Sequence, residues 1–229
     1  CTAGLPPKMK PAAATTRWRA VAGYASAATT RPMAKRPSQK ILEALADLAK
    51  ALQRIEAPSM VIGGIAVIAH GVARQTVDID ATILATRLDT SQILETLAHC
   101  SIRPRIPDIL EFAEKSQVLL LMHERTQVTL EISFAFTSFE QEALAKAIEV
   151  SFGGVKIPVA IPEDLVIYKA LAWRDRDRYD IEQLLTLHGD RIDLGRVRAF
   201  VREFAQILDT PERIPEFDRL LRKVLGPTA

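Results

Sequence analysis

The chain has 229 residues and a formal net charge of +2, and 48% of its residues are hydrophobic. This composition excludes a wholly disordered chain, and because no run of about eighteen apolar residues occurs, we predict no membrane span. Two cysteines, Cys1 and Cys100, stand in no metal-binding or redox spacing, as expected for a protein of the reducing cytoplasm.

The basic residues are concentrated at the start of the chain. Residues 1–42 contain eight lysines and arginines and no acid, which leaves 22 basic against 28 acidic residues in the remainder. We interpret residues 1–38 as a basic, disordered tail because they lack hydrophobic periodicity; the same composition is typical of an organelle transit peptide or of translated upstream sequence. The acidic remainder does not indicate a strongly basic nucleic-acid-binding domain.

The first half of the remaining chain alternates helices and strands. Apolar residues spaced by three and four predict an amphipathic helix over 41–55, with Ser38 as its N-cap. A short apolar run at 60–62 then leads into Gly63-Gly64. Beyond it we predict a short helix at 65–70, a strand at 77–84 and a helix at 90–100.

The second half is expected to end in helices. We predict strands at 118–122 and 128–136, a helix at 139–148, a hairpin around Gly153-Gly154 and only helices from Pro162 onward. This order predicts an α+β fold, in which a small mixed β-sheet flanked by helices occupies 39–160 and a helical C-terminal unit occupies 161–229.

Gly63 and Gly64 lie between a predicted strand and a predicted helix. Glycine lets the backbone approach phosphate groups closely, and the N-terminus of the following helix presents free N–H groups to an anion. Glycine pairs also end strands for steric reasons alone. The glycine pair alone therefore does not distinguish a phosphate-binding site from a strand end.

Asp78 and Asp80 are two residues apart on a predicted strand, so both side chains face the same way while Ile79 points into the core. Neighbouring carboxylates repel each other, and a divalent cation relieves that repulsion. Mg²⁺ prefers carboxylate and phosphate oxygens. The pair predicts a magnesium site, against the alternative of two solvated acids on an exposed face.

The two motifs stand at a fixed distance, since thirteen residues separate Gly64 from Asp78-Ile79-Asp80. The stretch from Gly63 to Asp80 resembles the signature of nucleotidyltransferases with the polymerase-beta-like fold. It is most similar to the bacterial group that includes the AbiEii/AbiGii-type toxins. The resemblance implies that Gly63 and Gly64 bind a triphosphate and that Asp78 and Asp80 bind two Mg²⁺ ions.

The resemblance also implies a third carboxylate from a later strand, which would share a metal and help to deprotonate the acceptor. Glu131 is the candidate, because it is an acid within the β-branched run 128–133, where acids are disfavoured. The alternative is an acid that protects an edge strand from unwanted pairing.

A second block, from Ile161 to Asp180, is also similar to the toxin-type group. The resemblance implies that Lys169 contacts nucleotide phosphates and that a following acid, either Asp177 or Asp180, completes the nucleotide site. In the first block, Arg74 could reach a phosphate. The other charged residues between 174 and 178 are predicted to form a solvated helix face or turn.

The function implied by the resemblance is transfer of a nucleoside monophosphate from an NTP to an acceptor hydroxyl on RNA or protein. A toxin-like enzyme would also have a cognate partner protein. Two alternatives are an enzyme that modifies an antibiotic or another small hydroxyl compound, and a nucleotide-binding, antitoxin-type protein without catalysis. The intact glycine and aspartate pairs favour an enzyme over the last.

Overall fold

A seven-stranded mixed β-sheet forms the centre of the molecule. The computed structural model describes residues 37–85 and 89–227, so the tail predicted over 1–38 lies outside the described residues except for its last two positions. The predicted α+β class is confirmed. In the spatial order β3-β4-β5-β2-β1-β7-β6, the strands are β1 Ser59–Ile62, β2 Asp78–Ile83, β3 Ile102–Pro104, β4 Val118–His123, β5 Thr129–Phe134, β6 Ile148–Phe152 and β7 Val155–Val159.

Nine α-helices flank this sheet within the described ranges. The first begins where it was predicted, because the Ser38 hydroxyl accepts a hydrogen bond from the Ile41 amide. The helices are α1 Gln39–Ile55, α2 Gly63–Ala69, α3 Thr90–Ala98, α4 Ile109–Ser116, α5 Ser138–Lys146, α6 Pro162–Ala172, α7 Asp175–His188, α8 Leu194–Ile207 and α9 Arg213–Leu225.

Most predicted elements are present with shifted ends, and two were not predicted. The helix expected from Ile65 begins two residues earlier, at Gly63, and α5 ends before Ile148, which opens β6. The sequence does not predict β3, which has three residues and includes a proline. It also does not predict α4, which buries two residues and so has a short apolar pattern.

The position of β2 within the sheet determines where its two carboxylates lie. β2 pairs antiparallel with β1 and parallel with β5, so it is an internal strand. Its residues Ile79, Ala81 and Ile83 are buried in the core. Asp78 and Asp80 alternate with them and therefore face the opposite side of the sheet, where α6 and α7 also contribute side chains.

The C-terminal helices pack beside this second face. α6 packs against α7 and α8, α9 packs against α7 and α8, and α6 also contacts α2. These contacts bring the beginning of α7 close to the β1–α2 junction. Across 37–85 and 89–227, no helix combines the length and apolar character needed to span a membrane.

Two buried histidines join the end of α2 to the end of α7. His70 Nε2 donates to the Ala160 carbonyl at 2.8 Å, and His188 Nε2 donates to the His70 carbonyl at 2.9 Å. The rings stand edge to face, 5.8 Å apart. Burial lowers the pKa of His70 to about 4, and burial also lowers the pKa of His188.

We expect these histidines to make the fold acid-sensitive. Because the folded pKa of His70 lies below the ordinary value, the unfolded chain takes up the proton first, and stability is lost as the pH falls from 6.5 toward 4. Between pH 7.5 and 5, wild type should lose about 2 kcal/mol more unfolding free energy than His70→Gln. Urea unfolding at both pH values measures this difference.

Other titratable groups face the two histidines. His70 faces His188, whose own surroundings include Asp190 and Arg191. The glutamine in His70→Gln keeps a hydrogen-bond donor for the Ala160 carbonyl. The unfolding free energy of this variant at pH 7.5 therefore gives the effect of the substitution apart from the titration of His70. Equal losses for the two proteins between pH 7.5 and 5 would contradict the assignment of the acid sensitivity to His70.

Candidate active site

A cleft of about 400 Å³ lies between the second face of the sheet and helices α6 and α7. Of the nine site residues predicted from the sequence, Asp180 alone does not line it. It is buried behind the wall, where it contacts two of the others. The predicted residues that line the cleft are Gly63, Gly64, Arg74, Asp78, Asp80, Glu131, Lys169 and Asp177.

The carboxylate pair, Asp78 and Asp80, projects from β2 into this cleft. The Thr76 hydroxyl donates to Asp78 Oδ1 at 2.6 Å, which orients that carboxylate. The pKa of Asp80 is raised by burial and by the negative charges of Asp78 and Glu131. Burial and the two neighbouring acids therefore disfavour the charged form of Asp80, and a bound cation would relieve both effects.

The glycine turn, Gly63 and Gly64, closes over the carboxylate pair. Gly63 has a φ of +61°, and a Cβ built there would lie 1.9 Å from Asp80 Oδ2. A Cβ on Gly64 would lie 2.4 Å from Thr76 Oγ1 and 3.1 Å from Arg74 Nη2. Only glycine leaves room for the backbone to approach the carboxylate and the guanidinium this closely.

We expect Gly63→Ala to disable the site as well as to strain the backbone. The methyl group would displace the Asp80 carboxylate, and a misplacement of about 1 Å at a reacting centre can cost roughly a hundredfold in rate. Gly154→Ala is the matched control, because Gly154 has a φ of +89° and no atom lies within 4 Å of its added Cβ.

Both glycine variants are compared in urea unfolding and in the nucleotidyl transfer that the sequence resemblance implies. The comparison separates the cost of the left-handed backbone from the effect of the methyl group on Asp80. The left-handed backbone should cost each variant about 1–2 kcal/mol of stability. Only Gly63→Ala should also lose stability to the clash and lose activity. An active Gly63→Ala protein would show that the close approach of the turn to Asp80 has no role in the site.

The third predicted carboxylate, Glu131, lies directly opposite Asp80 in the β2–β5 register. β5 is flanked by β2 and β4, so Glu131 does not protect an edge strand. Its carboxylate accepts a hydrogen bond from Arg105 Nη2 at 2.7 Å, and both side chains are partly exposed. Such an exposed ion pair contributes little stability and exchanges readily for another partner.

The predicted basic residue of α6, Lys169, is buried between two acids of α7. Its Nζ lies 2.9 Å from Asp177 Oδ1 and 3.0 Å from Asp180 Oδ2. Asp180 also pairs with Arg74, and Asp177 also pairs with Arg174. Burial opposes ionisation of Asp177, but the hydrogen bonds from Arg174 and Lys169 outweigh it and hold the pKa of Asp177 below its ordinary value.

A protein-family model described as a nucleotidyltransferase of unknown function (DUF6036) matches residues 39–213. The chain belongs to this family. The matched range includes every strand of the sheet, the glycine turn, the carboxylate pair and the ion pairs of α6 and α7. No curated protein matches the chain.

Solved nucleotidyltransferase structures resemble this DUF6036 chain. One is ANT(2″)-Ia in complex with adenylyl-2″-tobramycin, with 17% identity over 75% of this chain and 99% of that one and a TM-score of 0.50. Another is an antigenic nucleotidyltransferase-like protein from Paracoccidioides brasiliensis, with 15% identity over 82% of this chain and 95% of that one and a TM-score of 0.49. A third is the lincosamide antibiotic adenylyltransferase LnuA bound to lincomycin, with 17% identity over 67% of this chain and 99% of that one and a TM-score of 0.46. The first of these likenesses supports a nucleotidyltransferase fold.

The carboxylates of this family member fit a divalent cation in chemical type. Asp78 and Asp80 supply hard oxygen ligands on one face, and burial and the neighbouring acids raise the pKa of Asp80. Among the described residues, no group of three His, Cys, Asp or Glu side chains is arranged to hold a metal ion. Of the three predicted ligands, Glu131 instead pairs with Arg105.

Several residues that line or support the cleft were not predicted. Arg174 and Arg176 line it, although the sequence predicts a solvated charge run for both. Tyr168 also lines it; burial raises the pKa of its phenol, and its hydroxyl has no partner in the described ranges. Thr76 orients Asp78. No local sequence signal distinguishes Tyr168, Arg174 and Arg176, because their places in the cleft depend on the packing of α6 and α7 against the sheet.

Proposed function

We propose that this chain is a Mg²⁺-dependent enzyme that transfers a nucleoside monophosphate from an NTP to an acceptor hydroxyl. The single observation that carries the proposal is the convergence, in one cleft, of a carboxylate pair, a glycine turn packed against it and arginines on the facing wall. Carboxylates suit a metal, and arginines and a close backbone suit a polyphosphate. A cleft of this size also suits a single nucleotide.

In the proposed reaction, the acceptor oxygen forms a bond to the α-phosphorus, the bond from that phosphorus to the oxygen of the β-phosphate breaks, and pyrophosphate leaves. Asp78, Asp80 and Glu131 would hold two Mg²⁺ ions, which would stabilise the entering and leaving oxygens. The glycine turn, which approaches Asp80 closely, would hold the polyphosphate beside those ions. Arg105 would first release the Glu131 carboxylate, and that carboxylate would then receive the proton of the acceptor hydroxyl.

For the acceptor, we propose an RNA or protein hydroxyl and a toxin-like role with a cognate partner protein, as the resemblance to the AbiEii/AbiGii-type group implies. The second candidate is a small hydroxyl compound, because the structural neighbour ANT(2″)-Ia is seen with an adenylylated tobramycin. A non-catalytic protein is less well supported, because Glu131 and Lys169 line the same cleft as Asp78.

The test is a transfer assay that leaves the acceptor open. Each of the four NTPs, labelled in the α-phosphate, is incubated with Mg²⁺ and with separate RNA, protein and small-molecule fractions of a bacterial lysate. Asp80→Asn and an EDTA reaction are the controls. Label that enters one fraction with wild type alone supports transfer and identifies the acceptor class. No label in any fraction with any NTP contradicts the proposal.

A further inference from the structure

Five charged side chains form a continuous ion-pair chain along the cleft wall, in the order Arg74, Asp180, Lys169, Asp177, Arg174. We propose that the two terminal arginines bind the polyphosphate of the substrate and that Lys169 is a positioning residue that holds them in place through the aspartates. This inference rests on the proposed function. It assigns Arg174 to the site and removes Lys169 from direct contact with phosphate.

The centre of the ion-pair chain is closed to a ligand. Asp177 and Asp180 have side-chain exposures of 0% and 1%, and that of Lys169 is 8%. The ammonium group lies between the two carboxylates, at 2.9 and 3.0 Å. A phosphate that bound Lys169 directly would have to compete with two carboxylates that are themselves removed from water, which is unfavourable.

The Arg174 end of the ion-pair chain is open, because 61% of that side chain is exposed and it is held through Nε alone. Asp177 Oδ2 accepts from Arg174 Nε at 2.7 Å and from the Arg174 amide at 3.1 Å. Neither terminal nitrogen of Arg174 has a hydrogen-bond partner in the part of the chain that the structure describes. With 61% of its side chain exposed and its place in the cleft lining, Arg174 presents those nitrogens for binding.

Arg74, at the other end, is more enclosed, with 12% of its side chain exposed. Its Nη1 donates to Asp180 Oδ2 at 2.5 Å and its Nε donates to the Gln75 carbonyl at 3.2 Å. Its remaining nitrogen, Nη2, lies 3.1 Å from the position of a Cβ on Gly64, so it stands against the glycine turn. The two arginines therefore both line the cleft that the turn closes.

A polyphosphate is the ligand that this arrangement suits. A planar guanidinium donates two parallel hydrogen bonds to phosphate oxygens, and one that is fixed before binding loses less conformational entropy. The ion-pair chain contains three cations and two anions and so carries a surplus of positive charge. The anchoring aspartates are buried, so they fix the arginines without contacting the ligand themselves.

The first test measures binding of inorganic tripolyphosphate in Mg²⁺ buffer by titration calorimetry. Arg174→Gln should weaken binding by about tenfold or more, because it removes charge-assisted hydrogen bonds. Arg178→Gln is the matched control: Arg178 lies in the first turns of α7, four residues after Arg174, donates to the Trp173 carbonyl and does not line the cleft. Equal affinities for wild type and Arg174→Gln would overturn the proposal.

The second test uses the sign of the effect at Asp177. Removal of an acid near an anion site strengthens anion binding by charge alone, and it would also free Lys169 for phosphate. If Asp177 positions Arg174, however, Asp177→Asn should weaken tripolyphosphate binding severalfold, and this loss should vanish in an Arg174→Gln background. Binding that is stronger or unchanged in Asp177→Asn, with native circular dichroism, would show that Asp177 does not position Arg174 and would overturn the proposal.

The same titrations separate this inference from the proposed function. If wild type binds neither tripolyphosphate nor any NTP in the presence of Mg²⁺, the proposed function fails and the inference fails with it. If wild type binds tripolyphosphate and both the Arg174 and Asp177 variants bind it equally well, the proposed function stands and the assignment of Arg174 is wrong.

Discussion

Asp80→Asn is expected to reduce nucleotidyl transfer by at least about a thousandfold, because it removes a ligand of the metals that stabilise the transition state. The Asp80 carboxylate projects into the cleft beside Asp78, and the added methyl group of Gly63→Ala would collide with it. Asparagine has nearly the same shape, so the loss reflects the missing charge.

The same substitution should not weaken the fold. Burial, together with Asp78 and Glu131, raises the pKa of Asp80, so the charged form is disfavoured in the folded protein. Asp80→Asn should therefore unfold in urea, with EDTA present, at an equal or higher concentration than wild type. Asp218→Asn, in a partly exposed pair with Arg198 that does not line the cleft, is the control and should change neither property substantially. Retained transfer by Asp80→Asn would refute the metal assignment.

Lys169→Met is expected to give the largest loss of stability, about 3 kcal/mol, because it breaks two buried ion pairs at once. The two aspartates keep their arginines, but Asp180 Oδ1 already has no hydrogen-bond partner among the described residues. Without the Lys169 ammonium group, each of the two buried carboxylates would be neutralised by one arginine alone. Urea unfolding at pH 7.5 measures the change.

Lys223→Met provides the comparison for Lys169→Met. Lys223 also pairs with a carboxylate, Glu182 at 2.6 Å, but 66% of its side chain is exposed. Exposed pairs contribute about 0–1 kcal/mol, so this variant should unfold close to wild type. If the two lysine variants lost the same amount of stability, the ion-pair chain would have no special role in holding α6 to α7.

The carboxylate pair and the glycine turn could be predicted because their signals are local. Alternation along a strand places Asp78 and Asp80 on one face, and the buried Ile79 between them confirms that phase. The internal position of β2 followed from its apolar residues, although Val77, which was counted in the strand, lies outside it and is exposed. Glu131 was predicted from an acid in a β-branched run, and the register places it opposite Asp80.

The partners of these residues could not be predicted, because they come from elements far apart in the sequence. Arg174 and Asp177 lie in a run of alternating charges, and only the packing of α7 on α6 buries one and exposes the other. Arg105 reaches Glu131 from just beyond β3, a strand too short to give a pattern. The burial of Lys169 likewise depends on α7, so its sequence position did not show that two acids surround it.

The most direct test of the central claim compares two labels on one NTP. With the acceptor fraction found in the transfer assay, wild type is incubated with Mg²⁺ and the NTP labelled in either the α- or the γ-phosphate. We predict that α label enters the acceptor while γ label leaves as pyrophosphate, and that neither enters with Asp80→Asn. Entry of γ label into the acceptor would mean phosphoryl transfer, and transfer by Asp80→Asn would mean that another site performs the reaction; either result would contradict the account.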